Sequence, residues 1–163
     1  MPSAKTVKLL SHLPAGLRSR LFVAAGLATR AMTLGVKAFL TDGERLLLVR
    51  HTYVPGWHLP GGGVERHETV WQAVEKEVRE ETHLRLETPA ELFGIYKNER
   101  HSRFDHIAFF VCRGWREAGA FEPNAEIAEC RWFAFDDLPE GTTQPTRARL
   151  AEVTGGQPIA ERW

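Results

Sequence analysis

The chain has 163 residues, with 21 Lys and Arg against 21 Asp and Glu, 43% hydrophobic residues and two cysteines. That length suits one globular domain with its own core, and zero net charge excludes the broad basic footprint of a protein that binds long nucleic acid while leaving a small charged substrate open. Cys112 and Cys130 lack metal-ligand spacing and sit among apolar or aromatic neighbours, so they read as buried thiols of a cytoplasmic protein.

In chain order, the first segment of note is Leu21 to Ala28, apolar and preceded by Lys5, Lys8, Arg18 and Arg20. It falls far short of the roughly 20 residues that span a bilayer, and its basic lead is too long for a signal peptide. The expectation for residues 1–30 is an extension with a short amphipathic helix, packed on the domain or on a second subunit as in a homodimer. Membrane contact is not expected, and one continuous domain occupies 31–163.

Thr33 to Leu40 and Arg45 to His51 are apolar runs joined by Thr41-Asp42-Gly43-Glu44, and Asp-Gly between such runs predicts a hairpin. Gly56 to Leu59 predicts a short strand leading into Gly61, Gly62 and Gly63, which permit positive φ and close approach of backbone to a ligand. A helix from Thr69 to Thr82 follows. Thr69 and Gln72 form a capping box, and Val70, Val74 and Val78 recur every fourth residue as an apolar stripe. Beside that stripe Glu77, Glu80 and Glu81 stand at i, i+3 and i+4, where like charges repel by about 0.2–0.5 kcal/mol per pair. Hard cations such as Mg²⁺ or Mn²⁺ offset this repulsion because they take oxygen ligands. A solvated face is the plainer reading, since Lys76 with Glu80 and Glu75 with Arg79 are favourable i, i+4 pairs. Further strands are predicted at Glu91 to Lys97, Phe104 to Arg113 and Glu129 to Phe135, and a last helix at Thr146 to Val153.

Gly62, Glu68, Glu77, Val78, Glu80, Glu81 and Leu84 together resemble the Nudix box: Gly, five residues, Glu, seven residues, then Arg-Glu-apolar-any-Glu-Glu-any-Gly-apolar. Lys76 stands where that family has Arg, and His83 where it has Gly. The resemblance implies an α/β fold, an α/β/α sandwich around a mixed central sheet. It also implies metal-dependent hydrolysis of a nucleoside diphosphate linked to another group, with water attacking phosphorus of the pyrophosphate. Glu77, Glu80, Glu81 and the backbone carbonyl of Gly61 match the family's metal ligands, with Mg²⁺ as cofactor and Mn²⁺ as a substitute. Glu77 is the first choice of general base; Glu68, or Glu122, Glu126 or Glu129 from a later loop, is the alternative.

The two departures have physical consequences. A lysine is a flexible point charge where arginine offers a rigid fork, so Lys76 is expected to orient Glu77 less firmly and slow catalysis. His83 must take the left-handed conformation that glycine adopts freely at a helix end. A rival from another class is therefore a Nudix-like sensor, weak or inactive as a catalyst, that binds a nucleotide. Three intact glutamates favour the enzyme.

For a small nucleotide substrate, Tyr53 and Trp57, with Tyr96 and Phe104, are aromatics able to stack on a base. Arg50, with His51, Lys97, Arg100 and Arg103, could meet phosphate, and Gly62 brings backbone close to the ligand. A core aromatic or a solvated cation is the plainer reading of each side chain. Asp105 and His106 adjoin on a strand, point to opposite faces and form no dyad.

Overall fold

A computed structural model describes residues 32–99 and 103–163, with isolated positions nearer the N-terminus. The chain divides into two compact units, Met1–Met32 and Thr33–Trp163. The helix expected over Leu21 to Ala28 lies outside the described residues, as does Arg100. No helix among the described residues is long and apolar enough to cross a membrane.

The elements of the second unit are β1 (Thr33–Leu40), β2 (Arg45–His51), α1 (Val70–Thr82), β3 (Leu84–Leu86), β4 (Glu91–Asn98), β5 (Asp105–Cys112), β6 (Trp115–Glu117), β7 (Ile127–Ala134) and α2 (Gln144–Val153). Strand side chains alternate between faces, and here both faces are covered. Val36, Ala38 and Leu40 of β1 join Ala108, Phe110 and Cys112 of β5 in a core against Ala73, Val74 and Val78 of α1. The intervening Phe39, Phe109 and Val111 enter a second core, closed by Leu150 and Val153 of α2. The α/β/α sandwich thus follows from two apolar stripes per strand. β1 runs parallel to β5 and β4 antiparallel to it, so the sheet, ordered β1-β5-β4, is mixed.

β1 and β2 do not form the expected hairpin ladder. The turn exists, with Asp42 Oδ1 accepting from the backbone N–H groups of Glu44 and Arg45 and with Gly43 at φ +104°. Yet the two strands are linked only by a bridge between Thr41 and Leu46 among the described residues, and β2 pairs antiparallel with β7 instead. Runs apolar on both faces need neighbours on both sides; a turn signal specifies a reversal of the chain, not the partner. Gly56 to Leu59 likewise makes single bridges, Trp57 to Thr142 and His58 to Val49, rather than a strand. The short antiparallel pair β3 and β6 had no signal, because three residues carry no periodicity.

Beside its apolar residues α2 also buries polar groups, since Thr146, Arg149 and Glu152 join Pro145 among its buried residues. Arg149 pairs with Glu152 at 2.5 Å and lies 4.1 Å over the Tyr96 ring, and the Tyr96 hydroxyl donates to Glu152 at 2.7 Å. The chain after α2 then covers the edge of β4, with the Lys97 N–H donating to Glu161 and the Trp163 N–H to Lys97.

Candidate active site

α1 begins as its sequence dictates. Thr69 Oγ1 accepts from the Gln72 N–H at 3.2 Å and Gln72 Oε1 from the Thr69 N–H at 2.8 Å, completing the capping box. Ahead of it, residues 60–64 lie along the edge of β1: the Ala38 N–H donates to Pro60, the Val36 N–H to Gly62, and the Val64 N–H to Leu34. Gly61 has φ +136°, and a Cβ there would stand 2.1 Å from the Val36 carbonyl oxygen. A Cβ at Gly62 would stand 2.7 Å from Glu77 Oε2. The two glycines therefore press the loop against β1 on one side and against the helix carboxylate on the other.

Glu81 is 4% exposed, and its Oε2 accepts from the Gly61 N–H at 2.7 Å. Burial raises its pKa to about 7; Lys37 and the Gly61 N–H oppose the rise, while Glu77 and Glu126 add to it. Burial also raises the pKa of Glu77, with Lys76 opposing and Glu80 contributing. Glu80 itself is more than half exposed and pairs with Arg79 at 3.0 Å. The helix thus brings Glu77 and Glu81 together against the glycine loop and leaves Glu80 turned to solvent.

Lys37, absent from the sequence reading, completes the cluster. Its ammonium donates to the carbonyl oxygens of Leu59 at 2.9 Å and Gly61 at 2.6 Å. Burial depresses its pKa, and Glu81, Glu77 and Glu126 counter that. The available signal was a lone lysine in an otherwise apolar strand, Val36-Lys37-Ala38-Phe39-Leu40.

Lys76 reaches three carboxylates, Glu68 at 3.1 Å, Glu65 at 3.2 Å and Glu77 at 3.6 Å. Partial burial works against its charge, but Glu68 and Glu65 outweigh that and hold its pKa above the ordinary lysine value. Glu68 accepts from the Glu65 N–H at 2.6 Å, and this bond, aided by Lys76, lowers its pKa. His83 ends the helix at φ 57°, as expected, and its Nδ1 lies 2.8 Å from the Ala120 carbonyl oxygen. The imidazole therefore ties the helix end to the loop after β6, which a glycine could not do.

A cavity of about 340 Å³ adjoins the carboxylates, lined in part by Lys37, His51, Tyr53, His58, Gly61 and Trp163. Tyr53 is exposed there, and its hydroxyl donates to Glu126 Oε1 at 3.1 Å. Arg50 is paired with Glu129, which also takes Arg131. Trp57 is 8% exposed, its ring 4.9 Å from Phe133 in the second core. Tyr96 is buried with Glu152, Lys97 pairs with Glu99, and Arg103 covers Phe104. Asp105 accepts from Thr33 and Asn98. Of the later-loop glutamates, Glu126 is the one that meets the cluster: its carboxylate, that of Glu81 and a ring nitrogen of His51 lie within 4.8 Å of one another. Burial and the nearby Lys37 lower the His51 pKa to about 4, so the ring is neutral.

The model of the NUDIX domain matches residues 32–153, three quarters of the chain and every carboxylate and histidine of this site. The chain belongs to the Nudix family. A MutT-like protein of Streptomyces ambofaciens is 34% identical over 115 residues, 71% of each chain. The NAD-capped RNA hydrolase NudC of Pseudomonas syringae pv. syringae is 32% identical over 125 residues, 71% of this chain but 43% of NudC, so this Nudix chain spans less than half of that protein. The crystal structure of a MutT NUDIX hydrolase from Burkholderia pseudomallei superposes with a TM-score of 0.64 at 30% identity, covering 74% of this chain and 97% of that one. This Nudix chain is accordingly a pyrophosphohydrolase acting on nucleoside diphosphate-linked compounds.

Proposed function

We propose that this Nudix hydrolase uses a divalent cation, Mg²⁺ or Mn²⁺, and that water attacks a phosphorus of the pyrophosphate in a small nucleotide substrate. The observation that carries this reading is the pair of desolvated carboxylates, Glu77 and Glu81, held on the glycine loop with raised pKa values. Burying two carboxylates side by side is unfavourable unless positive charge compensates them, and the donor set is all oxygen, as a hard cation prefers. Glu77, Glu80, Glu81 and the Gly61 carbonyl would hold the ion. That carbonyl already accepts from Lys37, and its second lone pair remains for a ligand. The cation would neutralise the charge that a pyrophosphate presents to its nucleophile.

In this reading Glu77 takes the proton of the attacking water, because burial raises its pKa whereas that of the alternative, Glu68, is lowered. Glu68, with its lowered pKa and its bonds to Lys76 and the Glu65 N–H, is suited to steadying Lys76, which in turn positions Glu77. Tyr53 at the cavity rim suits a nucleoside ring, and Arg50 nearby suits phosphate. The buried Trp57 supports the core instead of the ligand. Cys112 and Cys130 are free, in keeping with a reducing cytoplasm.

The test is hydrolysis of a panel of nucleoside triphosphates, nucleotide sugars and other nucleoside diphosphate derivatives with Mg²⁺ or Mn²⁺. The expected result is release of a phosphate-bearing product that stops with chelator and in Glu81→Gln. Turnover that survives both treatments rules out the metal assignment. Tight nucleotide binding without product across the panel identifies a sensor.

A further inference from the structure

The geometry points to His51 as a nitrogen ligand in a cation position formed with Glu81 and Glu126, one that selects Mn²⁺, Co²⁺ or Zn²⁺ over Mg²⁺. This rests on the hydrolase reading above and adds to it a residue and a metal preference. The His51 side chain is 8% exposed, and its buried Nδ1 has no hydrogen-bond partner. Its Nε2 stands 3.9 Å from Glu81 Oε1, beyond hydrogen-bonding distance. A buried imidazole that faces two carboxylates without a hydrogen bond to either is a donor set that binds first-row transition ions.

Local structure explains why the three groups meet. The β2–β7 ladder runs in register from Arg45 opposite Ala134 to Arg50 opposite Glu129, then slips so that Ile127 faces His51. One extra residue on β7, Ala128, forms a bulge, and bulges re-aim side chains beside sites. The loop before it is fixed by Asn124 Oδ1, which accepts from the N–H groups of Glu126 and Ile127 at 2.8 Å each. Thr52 anchors the same loop through its N–H to Glu126 and its hydroxyl to Ala125. The Glu126 carboxylate is thereby delivered to the end of β2.

Dimensions and charge agree with an ion there. The three ligand atoms lie within 4.8 Å of one another, and neighbouring donors on a tetrahedral zinc-sized ion stand about 3.4 Å apart, so the three would draw inward onto it. Glu126 is exposed and can close that gap. Glu77, Glu81 and Glu126 all act on the ammonium of Lys37, so acidic groups outnumber that cation, and a divalent ion would add the positive charge they lack. His58, whose ring lies 5.5 Å from that of His51, is not an equivalent donor, because its Nε2 already meets the Pro55 carbonyl at 3.0 Å.

Pulsed EPR of Mn²⁺ added to the full chain reads the ligand directly. The expected spectrum shows ¹⁴N coupling that converts to ¹⁵N coupling after [¹⁵N]histidine labelling, vanishes in His51→Gln and persists in His58→Gln. Mn²⁺ affinity should fall at least roughly tenfold in His51→Gln, the low end of what even an outer partner of a metal ligand costs, with Mg²⁺ affinity changed by less than about twofold. Glu126→Gln, at an exposed position, should weaken Mn²⁺ as well. Absence of histidine coupling in the unaltered protein, coupling that survives His51→Gln, or equal loss of Mg²⁺ and Mn²⁺ affinity would each overturn the proposal, and the first needs no variant to fold. Mg²⁺-supported hydrolysis without nitrogen coupling overturns the histidine position and leaves the hydrolase reading intact. Coupling without hydrolysis of any substrate does the reverse.

Discussion

Two buried ionic clusters in this chain are built to opposite rules. Around Arg149 nearly every polar group is matched from within the chain: Arg149 pairs with Glu152 and donates to the Arg162 carbonyl, and Glu152 accepts from Tyr96 and from the Ala160 N–H. Only Arg149 Nε lacks a partner there. Around Glu81 the matching stops short. Lys37 spends its protons on two carbonyl oxygens, His51 stands 3.9 Å away, and Glu77 leans on Lys76 at 3.6 Å. A structural network is closed by its own chain, whereas an open one stores unfavourable charge that a ligand can relieve.

Removing one member of the closed network should have the largest effect on the fold. Arg149→Ala leaves Glu152 buried and unpaired, and a cost of about 3–5 kcal/mol is expected, read as a lower midpoint in urea. Hydrolysis per folded molecule should change little. A small loss of stability would show that Glu152 is served by Tyr96 and Ala160 alone and that the contrast between the clusters is weaker than drawn. The open network should behave the other way. Glu81→Gln is expected to cut kcat/KM by roughly 10²–10³-fold, the range for losing a group that stabilises transition-state charge, while leaving the urea midpoint unchanged or higher.

The open cluster also gives stability a pH dependence. The Glu81 pKa rises from 4.5 to about 7 on folding, so between those values the folded state holds a proton that the unfolded state has released. Glu81 should therefore contribute stability that is full below about pH 4.5 and declines as pH rises towards 7, by about 3 kcal/mol at most, while His51, whose pKa falls from 6.5 to about 4 on folding, contributes in the opposite direction over most of that window. Adding Mn²⁺ to the chelated protein should reverse the decline, and Glu81→Gln should remove it. Urea midpoints of the unaltered chain and of Glu81→Gln, compared from pH 4.5 to 7.5 in chelator, isolate the Glu81 part; parallel profiles would mean that Glu81 is already neutralised by Lys37.

Half of this contrast was legible in the sequence. The capping box, the valine stripe and the placement of Glu77 and Glu81 follow from helical spacing, so α1 ended at Thr82 as its residues require. The two-sided apolar runs of β1 and β2 were equally plain, but their partners were not, because pairing β1 with β5 is decided 72 residues along the chain and leaves no local mark. Glu80 shows the limit of spacing arguments: it shares the acidic arc yet faces solvent beside Arg79. Lys37 and Arg149, and the carboxylate partners of His51, were hidden for one reason. A polar residue in a strand or an amphipathic helix reads as exposed unless its partner is known, and those partners arrive from the glycine loop, the loop before β7 and the residues after α2.

The smallest expected effect concerns Lys76, where arginine was expected to be the better residue. The lysine serves Glu65, Glu68 and Glu77 at once, and three rotatable donors on a flexible stem suit three carboxylates in different directions. A guanidinium would bind one carboxylate bidentately and serve the others less well, unless Glu77 is the one it takes. Lys76→Arg should then raise kcat by only a few-fold, about 1 kcal/mol or less of transition-state stabilisation, with KM unchanged. Lys76→Met should lower kcat further than Lys76→Arg raises it, since Glu68 and Glu77 would lose their shared cation. Steady-state kinetics on whichever substrate the panel identifies decides between a lysine that weakly replaces an arginine and one fitted to a three-way task. A Lys76→Arg enzyme slower than the unaltered chain would establish the second.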